Sequence, residues 1–163
     1  MSGKGLAGKE KEGKILTKGT VRLIAASVFL WTAAVPDLKT KRIPVWIPAA
    51  CILTAIAGGL IPSAAADRQE LWAGAVPGAL LLILSLLSGG KIGEGDGVCL
   101  LICGLYTGFT KTILIAEIAL LSAAAAGTVL LLTKRRRADD RLPFVPFLAA
   151  ASTLILLYGL LSG

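Results

Sequence analysis

Residues 113–132 read ILIAEIALLSAAAAGTVLLL, with Glu117 as the one charged group. That is about 20 residues, the length a straight helix needs to cross a bilayer. The apolar residues are continuous. A barrel strand would alternate apolar with polar, so the spanning element is a helix, whose backbone groups satisfy one another in lipid.

Working outward, five more apolar runs appear, at Thr20–Pro36, Val45–Ile61, Leu71–Leu87, Gly97–Phe109 and Pro143–Leu161. The expected fold is all-α, a polytopic membrane protein of about six helices with a short fourth one. That fourth run must thin the bilayer, borrow flanking residues or be re-entrant. Composition agrees. The 163 residues are 55% hydrophobic and 17% charged, whereas a soluble domain carries nearer a quarter charged. Residues 1–19 form a Lys- and Gly-rich stretch without apolar periodicity, expected to be a flexible basic tail, and residues 20–163 form the membrane-embedded domain.

The net charge of +7 comes from basic residues in the tail and between the runs. Their placement suits anchoring at anionic lipid and control of topology rather than nucleic-acid binding, and no nucleic-acid partner is expected. There is no histidine, which removes Ser-His-Asp, Cys-His and zinc–histidine chemistry. Cys51, Cys99 and Cys103 all fall within apolar runs. Cys99 and Cys103 share a helix face, and with no other ligand type nearby they read as small apolar fillers. No metal and no cofactor is expected. Small residues at Ala123–Gly127 and Ala149–Ala151 allow close approach of helices.

Two carboxylates stand at the edges of apolar runs, where ionised groups are costly and functional candidates by default. Asp37 lies in Val35-Pro36-Asp37-Leu38-Lys39-Thr40-Lys41-Arg42-Ile43-Pro44, after the first run. Asp96 closes Gly93-Glu94-Gly95-Asp96, before the fourth. If every run crosses, parity puts both on one side. A pair of carboxylates suits acid–base work on water. Each also has a plain reading: Asp37 paired with Lys39, Lys41 or Arg42, and Asp96 as the N-cap of the fourth helix. Glycines 93 and 95 give the backbone freedom and let a second chain approach. Glu117 reads as structural, snorkelling outward or pairing with Lys111.

The two strings in this order, two runs apart, resemble the type IV prepilin peptidase family. These are the Gly-x-Gly-Asp intramembrane aspartic proteases, which include archaeal preflagellin peptidases. The resemblance spans about Val21–Leu161. Asp37 with Ile43-Pro44 matches the first family motif, and Gly93, Gly95 and Asp96 the second. Pro143-Phe144-Val145-Pro146-Phe147 matches the string that opens the family's last span. Two positions depart: Val45 stands where Asn usually follows Ile-Pro, and Val98 where Lys usually follows the motif Asp. The resemblance implies Asp37 and Asp96 as catalytic residues and pilin-like precursors as partners, cut between basic leader and apolar helix. It implies a multi-pass inner-membrane location with the active site at the cytoplasmic face. It decides for six crossings, since basic charge alone prefers five with the fourth run re-entrant. No pair of cysteines precedes Asp37, so the zinc-bearing methyltransferase part of many bacterial members is not expected. Other classes are a small transporter or channel, and an inactive relative serving as an assembly scaffold.

Overall fold

A computed structural model of the chain describes residues 3–40, 46–57, 65–88, 93–133 and 143–162. Among these, six helices and no strand occur: α1 (Gly3–Thr40), α2 (Trp46–Ala57), α3 (Ala65–Leu87), α4 (Glu94–Thr107), α5 (Phe109–Leu132) and α6 (Val145–Ser162). The fold is the all-α one expected. Three stretches are long and apolar enough to cross a membrane, Gly19–Lys39, Arg68–Leu87 and Phe109–Leu132. α6 carries a shorter apolar stretch, Val145–Leu161. α4 has 14 residues, hence is about 21 Å long, and is the short fourth helix. α1 begins at Gly3, inside the segment read as tail. That segment has no apolar periodicity, but Lys, Glu, Ala and Leu are good helix formers and a helix needs no apolar face to form.

Glycine sets the closest packing, between α3 and α4. A Cβ on Gly74 or Gly104 would collide with the other residue's carbonyl oxygen, and one on Gly78 with the backbone of Leu101. A Cβ on Gly97 would come within 2.8 Å of the Leu82 backbone. The pairs run antiparallel, from Leu82 against Gly97 to Gly74 against Gly104. In lipid the helices gain no hydrophobic advantage from meeting, so this backbone-to-backbone approach supplies the attraction. α4 therefore traverses the bundle beside α3 instead of turning back on itself. It ends at Gly108, whose φ of +80° joins α4 to α5 through a single residue. Only glycine takes that angle cheaply.

The core lies among α1, α4, α5 and α6. Leu30 and Ala33 from α1, Cys99, Ile102 and Cys103 from α4, Ile115 from α5, and Val145, Leu148 and Ala149 from α6 are buried there. Trp31 donates from Nε1 to Thr153 Oγ1 at 3.0 Å, fixing α1 against α6. Tyr106 donates from its hydroxyl to the Cys51 carbonyl at 2.7 Å, fixing α2 against α4. Large apolar side chains such as Leu80, Leu121, Leu132 and Leu161 stay exposed on the outer surface, as lipid-facing positions should.

Candidate active site

The packing brings the last turn of α1, the first turn of α4 and the first turn of α6 to one end of the bundle. The opposite end holds Gly19 near Lys111, and Glu70 against Gly108. Asp37 and Asp96 thus share an end, as parity required.

Asp37 is buried, with 6% of its surface exposed. Lys39, two residues on, is exposed. The carboxylate turns inward, and Oδ2 accepts a hydrogen bond from the backbone N–H of Val145 at 3.3 Å. The plain reading of Asp37 as an interfacial ion-pair partner is therefore replaced, for Lys39, by a contact inside the bundle; Lys41 and Arg42 lie outside the described residues. Local sequence explains why Val145 is available. It is the first residue of α6, so its N–H has no carbonyl one turn earlier to bond. Pro146 has no N–H at all, and the amides of Phe147 and Leu148 already bond the Phe144 carbonyl at 3.0 and 3.2 Å. The first turn of α6 offers Asp37 a donor and the positive end of a helix dipole.

Asp96 is the third residue of α4, and the N-cap position belongs to Gly93, which makes no side-chain cap. The reading of Asp96 as N-cap is corrected: Glu94 and Gly95 are already helical, and the Asp96 N–H bonds the Gly93 carbonyl at 3.1 Å. Its carboxyl folds back over Gly93. A Cβ there would lie 2.7 Å from Oδ2 and 3.2 Å from Cγ. Gly93 is thus a seat for the carboxyl, and Gly95 is half-buried beside it. Burial, with the negative charge of Asp37 adding to it, pushes Asp96 up to about 7. Glu94 is exposed at the mouth. Cys99, one turn beyond Asp96, is buried within electrostatic reach of both carboxylates.

The other sequence candidates, Ile43 and Pro44, lie outside the described residues, as does Val45. Val98 is half-buried. Among the described residues no cluster of three His, Cys, Asp or Glu side chains is arranged to hold a metal ion. Sequence reasoning missed the Val145 amide. It noted the Pro143–Phe147 string, and the signal lay in that string: a proline one residue into a helix leaves the preceding amide without competition. The chemistry open to this arrangement is that of two unequal acids, one seated on a helix N-terminus and one pushed up toward neutrality.

The sequence profile of the type IV leader peptidase family matches residues 24–160. No curated protein and no solved structure matches the chain.

Proposed function

Because the chain belongs to the type IV leader peptidase family, a family of membrane peptidases, we propose that it is an intramembrane aspartic endopeptidase whose catalytic pair is Asp37 and Asp96. The observation that carries the reading is the placement of buried Asp37 and half-buried Asp96 at one end of the bundle, with the charge of the first bearing on the second. Two such groups cannot both ionise cheaply, so they hold one proton between them.

The ionised carboxylate takes a proton from a water molecule, and the water oxygen bonds to the scissile carbonyl carbon. The protonated carboxyl gives its proton to the carbonyl oxygen. When the tetrahedral species collapses, the carboxyl that took the water's proton gives it to the leaving nitrogen, the C–N bond breaks, and a hydroxyl of the gem-diol returns its proton to the other carboxylate. The dyad then again holds one.

The substrates are pilin-like precursors, each a short basic leader followed by an apolar helix. Their apolar helix lies in the bilayer beside the spans, so the junction sits at the level of the dyad. Exposed Glu94 attracts the basic leader. The site faces the cytoplasm of a prokaryotic inner membrane, and the products serve pilus or secretion assembly.

The test is co-expression with a candidate precursor, scored by the mobility shift that loss of the leader produces. Asp37→Asn and Asp96→Asn should each lower cleavage about 100-fold or more while the protein still inserts. Wild-type cleavage by either variant overturns the dyad. A precursor that binds but is never shortened would make the chain a scaffold instead.

A further inference from the structure

The two acids of the site sit in different surroundings, and the difference originates in α6. We infer that the first turn of α6 divides the labour of the pair: the Val145 amide positions Asp37 as the base, and Asp96 is left to carry the proton. The inference rests on the dyad reading above and deepens it.

Three observations converge on it. The Val145 N–H is the donor to Oδ2 of a carboxylate that is almost wholly buried. Pro146 and the two amides after it leave no competing use for that helix end. Burial opposes the charge on Asp37 as it does on Asp96, and the amide donor and helix N-terminus are what favour the charged form of Asp37 against it. Asp96 has the opposite setting. No side chain caps α4, its carboxyl rests against the Cα of Gly93, and burial pushes it up to about 7. Among the described residues, the charged and titratable groups around the pair come from three helices. α4 contributes Asp96 itself, Cys99 and exposed Glu94; α2 contributes Cys51; α1 contributes exposed Lys39. α6 contributes none in its first turns. No cation on α6 substitutes for the amide.

Val145 is a positioning residue here, because it acts on the reaction through Asp37. The amide can be deleted without deleting the helix: Val145→Pro removes the N–H at a first helical position, where proline is tolerated. Val145→Ala trims the same buried side chain and keeps the N–H.

The experiment is infrared titration of the full-length protein in lipid nanodiscs, following the C=O stretch of protonated carboxylic acid without substrate. At pH 6 the band of the buried acid should vanish in Asp96→Asn and persist in Asp37→Asn. The reverse pattern overturns the assignment. In the Asp96→Asn background Asp37 titrates alone. There Val145→Pro should raise the pH at which its band appears by about one unit, the worth of a hydrogen bond to a charged group, and Val145→Ala should not. Equal behaviour of the two overturns the role of the amide. Should Val145→Pro not fold, the comparison of the two Asp→Asn variants still decides which acid holds the proton. Because the readout needs no substrate, it fails separately from the peptidase reading, which the precursor mobility shift decides.

Discussion

The Asp96 carboxyl is folded over Gly93, with Oδ2 2.7 Å from the point a Gly93 Cβ would occupy. The nearest atom is the tip of the Asp96 side chain, so a methyl group there displaces the carboxyl on which the proposed chemistry depends. Gly93→Ala should lower precursor cleavage about tenfold or more, since displacements near 1 Å cost that much or more in catalysis. Insertion and helix content should remain, because Gly93 lies at the N-cap and outside the α3–α4 seam. Cleavage and circular dichroism on the same preparation check both halves. Wild-type cleavage would mean that the carboxyl seat is not needed.

The acid of the pair also sets a pH dependence. Asp96 is pushed up to about 7, above the ordinary carboxylate range, so the folded protein binds more protons than the unfolded one between about pH 4 and 7. Stability must then fall as pH rises through that window and stay level above it. Asp96→Asn removes the burdened group. At pH 8 it should be more stable than the wild type by roughly 1–3 kcal/mol, with the gap closing toward pH 4. Thermal unfolding in detergent at several pH values reads this. Cleavage should have the matching basic limb and decline as pH rises through about 7, where Asp96 loses the proton it donates.

Glycines divide into those that hold the bundle and those that do not. Gly104 faces the Gly74 carbonyl with no room for a methyl, whereas Gly159 on α6 has nothing within 4 Å of a Cβ. Gly104→Ala should cost about 1–3 kcal/mol by overpacking. Gly159→Ala should be neutral or gain up to about 1 kcal/mol from helix propensity. Thermal midpoints of the two variants in one detergent give the contrast. Equal midpoints would mean that the α3–α4 seam does not govern stability.

What could be read from the chain, and what could not, follows from these contacts. Membrane helices announce themselves by composition, so the all-α fold was legible from runs such as 113–132. Asp37 and Asp96 were legible as charges at the edges of apolar runs, and their common end followed from counting crossings. The glycine seam was not noticed, although Gly74-Ala75-Val76-Pro77-Gly78 carries the spacing that brings helices together. The alanines of α5 and α6 are the denser small-residue signal in the sequence. Ala149 and Ala151 are indeed buried, whereas in the α5 run Ala124 and Ala125 are exposed and Ala123, Ala126 and Gly127 are half-buried. Small residues permit close approach without choosing a neighbour, and only the three-dimensional arrangement says which are used. The Val145–Asp37 bond was harder still, because it joins residues 108 apart through a backbone amide, and an amide leaves no mark in residue identity.

α2 is the helix with the lightest hold on the rest. Among its described side chains only Ile47 is buried, while Trp46, Ile52 and Leu53 are exposed. Among the described residues its polar tie is Tyr106, whose hydroxyl donates to the Cys51 carbonyl and accepts from the Cys51 thiol at 3.3 Å. Removing that hydroxyl in Tyr106→Phe keeps the ring in its buried place on α4 and deletes both bonds. The thiol is a weak donor and its bond adds little; the bond to the carbonyl is worth about 1 kcal/mol net, so α2 should separate from α4 roughly fivefold more often. The native Cys51 is a built-in reporter, because Cys99 and Cys103 are buried in the core. Alkylation of Cys51 by a maleimide, followed by mass spectrometry of its peptide, should quicken by about that factor, with Cys99 and Cys103 unchanged. If all three thiols quicken together, the hydroxyl supports the whole bundle rather than the seating of α2. If none does, α2 is held by its apolar contacts alone.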